Sequence, residues 1–205
     1  MGHRVFAWFY DKLAVRADAR GTAARRQELL SQARGFVVEI GAGTGLNLRW
    51  YPPSVTEVLA TEPDPHMFKR LAKALPGAAV PVRIQPAEAS RIPVADSTVD
   101  TVVSSLVLCS VSSPDGALAE AARILKPDGR LVFFEHVRSE RSGSARVQDI
   151  LELPWGWVSG GCHPNRDTVA AIERAGFRIE GLRRFDEPGS FLAKPRVIGA
   201  AVATR

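Results

Sequence analysis

The sequence predicts an α/β fold built on a parallel, doubly wound sheet, and three observations predict it. Residues 36–40 form a short apolar, β-branched run broken only by Glu39, and Gly41, Gly43 and Gly45 follow at once. Such a run reads as a buried strand passing into a glycine turn. Further extended apolar runs alternate with helical patterns down the chain, the arrangement that writes parallel strands joined by crossover helices. Residues of unusual chemistry, Gly41, Glu62, Ala87, Ser105 and His136, all fall at the carboxyl ends of predicted strands. Open α/β sheets bind their ligands along that edge.

The elements follow in order. Phe6, Phe9, Tyr10, Leu13 and Ala17 share one helical face near the amino end, an aromatic stripe suited to covering a ligand, touching a membrane interface or packing on the core. Residues 20–34 read as a helix, with Arg25, Arg26 and Arg34 solvated, Leu29 and Leu30 inward, and Gly35 as its stop. After the glycine loop, residues 46–50 can open a helix before Pro52. Strands are expected over 55–61, 79–85, 99–104 and 130–135. Helices are expected over 65–75, for about ten residues from Pro114, and over 166–175 with Gly176 after the end. Lys126-Pro127-Asp128-Gly129 reads as a turn. Residues 137–166 are the least regular stretch. The last strands, 177–185 and 196–203, are joined too briefly for a helical crossover, so they form an antiparallel hairpin.

Composition bounds the function. The chain has 205 residues, enough for a substantial core, and no apolar run of about 18 that would predict a transmembrane segment. The amino end lacks a signal-peptide pattern. The net charge of +5 is dispersed and carries no nucleic-acid-binding motif, so it reads as a mildly basic surface and not as a nucleic-acid partner site. Cys109 and Cys162 form neither a metal pattern nor a disulfide framework in the linear sequence, so no metal is expected and a reducing, cytoplasmic setting is.

The glycine spacing bears on the ligand. Dinucleotide folds use G-x-G-x-x-G, whereas this loop is G-x-G-x-G and is preceded by Glu39. An acid beside the loop suits a positively charged ligand better than a diphosphate, and S-adenosylmethionine, with its sulfonium and ammonium groups, is such a ligand. Glu62 lies where a nucleotide-binding unit sets an acid on the ribose hydroxyls. Met67 either overlies an adenine ring or fills the core. His136 ends a strand on the ligand edge, as a base or as a packing histidine. His163 either gates an acceptor pocket or belongs to a turn, and Trp155 and Trp157 can wall that pocket.

These motifs resemble the class I S-adenosylmethionine-dependent methyltransferases, from Val37 to about Ala203: Glu39 to Gly45, Glu62, Ala87-Glu88, Asp96 to Asp100, and Leu125 to Gly129. A narrower resemblance is to the methyltransferase-like seven (alkyl thiol methyltransferase) subgroup and its bacterial relatives. It rests on Gly45-Leu46-Asn47 with Tyr51-Pro52-Pro53, Leu106 to Val111, Glu135-His136-Val137, Gly161-Cys162, and Arg196 with Ile198-Gly199. Phe9 to Ala14 resembles the lid segment of ubiquinone-type and phospholipid methyltransferases.

The resemblance implies a Rossmann-like seven-stranded sheet with its last strand antiparallel and an N-terminal helical lid. The regions would be a lid over 1–34, a cofactor-binding core over 35–136, and an acceptor region with the C-terminal hairpin over 137–205. It implies S-adenosylmethionine against Glu39, Gly41, Ala42, Gly43, Asn47, Glu62, Pro63, Met67, Ala87, Glu88, Ser105 and Leu106. His136 would be the catalytic base, and Tyr10, Trp155, Trp157 and His163 would meet the acceptor. Pro86 stands where many relatives have Asp, which removes one adenine contact. The expected activity is methyl transfer to a small molecule, with a thiol favoured. A quinone or lipid oxygen, an amine, and a non-catalytic cofactor-binding role are the alternatives, and peripheral membrane contact stays open. Ser104-Ser105-Leu106-Val107 stands where nucleic-acid amino-methyltransferases carry Asn/Asp-Pro-Pro-aromatic.

Overall fold

The computed structural model describes residues 21–187, 192 and 194–204. The aromatic stripe with Tyr10 lies outside them. Helix α1 (Ala23–Leu30) precedes strand β1 (Gly35–Ile40), whose last four residues are all buried, as a central parallel strand covered on both faces requires. There follow β2 (Val55–Thr61), α2 (Pro65–Ala74), β3 (Val82–Gln85), β4 (Val99–Ser105), α3 (Pro114–Ile124) and β5 (Leu125–His136). The chain closes with α4 (Ser142–Val158), α5 (Thr168–Arg174), β6 (Phe177–Asp186) and β7 (Pro195–Ala203).

Seven strands form one sheet in the order β3-β2-β1-β4-β5-β7-β6. Strands β1 to β5 pair in parallel, and β7 runs antiparallel to both β5 and β6. The short joint between the last strands therefore makes a hairpin, with β7 inserted beside β5 and β6 left at the edge. The sheet separates two cores. Val38 and Ile40 of β1 face one with Leu118, Ala121 and Ile172 from α3 and α5, while Val37 faces the other with Leu29, Leu30 and Leu71 from α1 and α2. Alternation along one strand feeds both layers.

Helix starts are set by side chains. Asp64 caps α2, its Oδ1 accepting from His66 N at 2.7 Å and Met67 N at 3.0 Å, with Pro65 in the first turn. Ser113 Oγ accepts from Gly116 N at 3.0 Å to start α3, and Asp167 caps α5 through Ala170 N.

Several expectations need correction. Residues 46–50 make only a 3-10 turn, Leu48–Trp50, and β3 begins at Val82. Lys126 to Gly129 is an outward bulge: Leu125 pairs with Val99 and Arg130 with Thr101, so four residues oppose Asp100 alone. The irregular stretch holds the 17-residue helix α4. Pro154 interrupts its pattern, and Ile150, Leu153, Trp157 and Val158 are exposed apolar residues that blur its periodicity. Arg26 is buried and not solvated. Among the described residues no helix is long and apolar enough to cross a membrane.

Candidate active site

The carboxyl ends of β1, β2, β4 and β5 open onto one cavity of about 440 Å³, inside the roughly 300–1,000 Å³ range of small-molecule sites. Gly41, Gly43, Glu62, Pro63, Met67, Glu88, Leu106, His136 and Trp155 line it, so the fold brings these predicted residues together. Gly41 and Gly43 take φ of +56° and +60°, a region that L side chains rarely adopt. A Cβ on Gly43 would meet no atom closer than 4.0 Å, so the loop leaves open space where a ligand can lie against backbone.

Glu62 is buried at the carboxyl end of β2. Its Oε2 accepts from Gly43 N at 2.9 Å and its Oε1 from Asp64 N at 2.9 Å. Burial pushes its carboxyl above the ordinary value of 4.5, and the two N–H groups oppose that rise. Each oxygen keeps a second lone pair for a ligand hydroxyl.

Glu39, Ala42, Asn47, Ala87 and Ser105 are not among the cavity-lining residues. Glu39 lies beneath the loop, accepting from Asn47 Nδ2 at 2.7 Å and Tyr51 OH at 2.7 Å. Arg26 joins them, donating to Asn47 Oδ1 at 3.0 Å and Ser105 Oγ at 3.3 Å. Burial raises the carboxyl of Glu39, and the Tyr51 and Asn47 hydrogen bonds and the charge of Arg26 pull it back. The acid before the glycine loop thus braces that loop from below. Ala42 N donates to Thr61 O at 2.8 Å, tying the loop to β2.

Leu106, directly after β4, holds φ +61° with its N–H on Phe134 O at 2.7 Å. A branched side chain in that region is strained and persists only where its surroundings fix it. Buried Glu135 does the fixing: its Oε1 accepts from Ser104 Oγ, Val107 N and Leu108 N at 2.6, 3.0 and 3.1 Å, and its Oε2 from Cys109 N at 3.3 Å. One carboxylate thereby shapes the cavity wall formed by the loop after β4.

The residues expected to meet an acceptor lie differently from the linear reading. Trp155 lines the cavity, but Trp157 is 83% exposed. His163 is off the cavity lining, with Nδ1 2.7 Å from Glu152 Oε1. Cys109 and Cys162, distant in sequence, both line the cavity and face His136 Nδ1, at 3.5 and 3.4 Å. Both are free, buried thiols. Their mutual hydrogen bond pushes Cys109 well above its ordinary value and holds Cys162 below it. Linear spacing cannot reveal this meeting, because the three residues come from the loop after β4, the end of β5 and the loop after α4.

Residues 38–133 match the methyltransferase domain family. The rat thiol S-methyltransferase TMT1B is 36% identical to this chain over 199 residues, covering 87% of the chain and 78% of the rat protein. The chain belongs to the class I S-adenosylmethionine-dependent methyltransferases. Its fold is shared by a possible histamine N-methyltransferase from Thermotoga maritima, with a TM-score of 0.69, 21% identity and coverage of 98% of this chain and 100% of that one. It is shared too by the N-methyltransferase NodS of Bradyrhizobium japonicum, solved with S-adenosyl-L-homocysteine, with a TM-score of 0.65, 16% identity and coverage of 91% and 87%.

This methyltransferase uses S-adenosylmethionine, and its residues fit that cofactor. The open backbone at Gly43, the buried carboxylate of Glu62 with spare acceptor capacity, and the apolar walls of Met67 and Leu106 match a ligand with an adenine, a ribose diol and a positively charged methionine end. The same cavity is lined by both of these groups and by the two thiols with His136.

Proposed function

We propose that this enzyme methylates the sulfur of small, largely apolar thiols. The observation that carries this reading is one cavity lined both by the Gly41, Gly43 and Glu62 set and by Trp155, Val107, Cys109, His136 and Cys162. The rat relative TMT1B is a thiol S-methyltransferase, which supports the same acceptor.

When bound, S-adenosylmethionine supplies a sulfonium methyl already activated for displacement. The chain's task is then to orient and to exclude water. Glu62 holds the ribose hydroxyls, while Pro63, Met67 and Glu88 border the adenine. Leu106, fixed by the Glu135 network, walls the methyl end. Ala42, Asn47, Glu39 and Ser105 act from beneath, keeping the loop's shape through Thr61, Tyr51 and Arg26. Ala87 precedes Glu88 and Ala89, which line the cavity after β3. Trp155 and Val107 give the acceptor's carbon chain an apolar wall.

A cysteine thiol has an ordinary pKa of about 8.5, and an alkyl thiol gives up its proton less readily, so help in removing that proton yields the nucleophilic thiolate. His136 is the residue that promotes loss of that proton.

The test is direct. Purified protein is given S-adenosylmethionine and a panel of aliphatic thiols, quinols and amines, and S-adenosylhomocysteine is measured. Turnover confined to thiols, reduced at least roughly 100-fold in His136→Ala, is expected for a group that assists proton loss. Turnover only with quinols or amines sinks the thiol assignment.

A further inference from the structure

Cys109, His136 and Cys162 offer three metal-ligating atoms, all within 4.8 Å of one another. Nothing in the methyl-transfer reading requires two buried thiols to face one imidazole nitrogen. Their geometry is that of a ligand set. With Zn–S about 2.3 Å and Zn–N about 2.05 Å, a tetrahedral ion separates a sulfur from a nitrogen by about 3.6 Å. The observed separations from Nδ1 are 3.5 Å for Cys109 Sγ and 3.4 Å for Cys162 Sγ. An ion can therefore enter with shifts of a few tenths of an ångström or less in these two edges.

The ligands are held on three separate segments that are bonded to one another. Glu135 Oε2 accepts from Cys109 N at 3.3 Å, and Cys109 O accepts from His163 N at 2.7 Å, which joins the loop after β4 to the loop after α4. Thr168 Oγ1 donates to His136 O at 3.3 Å, fixing the end of β5 against α5. Arg166 clamps the loop after β4, donating to Leu108 O at 2.8 Å and Val111 O at 2.7 Å. Such support from surrounding hydrogen bonds is what orients metal ligands.

We infer that Cys109, His136 and Cys162 bind one zinc ion whose fourth position opens into the cavity, where the acceptor thiol binds as its thiolate. Two thiolates and an imidazole suit zinc among the available divalent ions, and their charges neutralise the ion's own. Three protein ligands and an open fourth place are the arrangement of catalytic zinc, whereas structural zinc is closed by four. All three residues line the cavity, so the open place is accessible to the acceptor.

The step balances. The thiol gives its proton to water, and its sulfur displaces the water at the fourth position. That sulfur's electron pair then forms a bond to the cofactor's methyl carbon. The carbon–sulfonium bond breaks, its electrons stay on the S-adenosylhomocysteine sulfur, and the product is a neutral thioether, a weaker ligand that leaves. His136 then promotes proton loss as a ligand through Nδ1 and not as a free base.

The coordination half of this inference rests on the thiol reading; the metal site does not. The test uses the full chain, reduced with a phosphine and dialysed against zinc. About one zinc per chain is expected by elemental analysis, falling at least roughly 10-fold in Cys162→Ser and in His136→Ala, both checked for retained S-adenosylmethionine binding. Cobalt(II) in place of zinc should give the intense visible bands of a tetrahedral thiolate site. An added aliphatic thiol should shift those bands, and the matching thioether should not. Zinc at the level of the Cys162→Ser variant, in wild-type protein that still methylates thiols, overturns the inference and leaves the function standing. Full zinc in a protein that methylates no thiol overturns the function and leaves the metal site standing. Cobalt bands unmoved by thiol overturn the coordination.

Discussion

At the scale of single residues, the proposed cofactor contact that one substitution tests best is Glu62. Glu62 is buried, and its two oxygens already hold Gly43 N and Asp64 N. Glu62→Ala removes both anchors and, on the proposed reading, the acceptor for the ribose hydroxyls. The dissociation constant for S-adenosylmethionine, measured by calorimetry, should rise roughly 10- to 100-fold, the loss of charged hydrogen bonds. The same residue sets a pH dependence. Only the carboxylate accepts from both hydroxyls, and burial raises its folded-state pKa above 4.5. Affinity is therefore full above that raised value and falls as pH drops through it, earlier than for an ordinary glutamate. A titration with no loss of affinity until well below 4.5 would contradict this role. The place of Glu62 on the cavity is legible in the sequence because strand end and spacing alone fix it. Glu39 reads in the sequence as a ligand-facing acid, but its burial under Tyr51 and Asn47 is a tertiary fact that no spacing encodes.

At the scale of elements, the loop after β4 and helix α4 line the part of the cavity proposed to take the acceptor. Glu135 on β5 accepts three backbone N–H groups and one hydroxyl from the end of β4 and its loop. Glu135→Ala strands those donors in a water-poor interior, so stability should fall by about 2–5 kcal/mol in urea unfolding. Glu180→Ala on the edge strand β6, where the side chain is exposed, should stay within about 0.5 kcal/mol. Equal losses in the two variants would contradict the anchoring role. Helix α4 separates its tryptophans, because residues two apart point about 200° away from each other. Trp155→Ala should raise the KM for the acceptor several-fold, while Trp157→Ala, altering a residue 83% exposed, should leave it unchanged. The reverse pattern would move the acceptor wall to the other face of α4. That helix was the element least legible in the sequence. Its apolar residues do not follow one buried stripe, and Pro154 sits inside it.

At the scale of the whole molecule, the sheet order explains which parts of the site a sequence can announce. Parallel strands β1, β2, β4 and β5 deliver Gly41, Glu62, Leu106 and His136 to one edge, and alternating strand and helix patterns foretell that edge. The antiparallel β7 follows from the short joint before it. The meeting of Cys109, His136 and Cys162 depends instead on how three loops fold over that edge, which local pattern does not fix. The cavity that results carries cofactor-shaped groups and sulfur-rich groups together. The most direct measurement compares kcat/KM for an aliphatic thiol and for the alcohol of the same carbon skeleton, with S-adenosylmethionine saturating. Methyl transfer to the thiol sulfur with none detectable to the alcohol is the predicted result. Comparable transfer to both, or to the alcohol alone, would contradict sulfur as the acceptor.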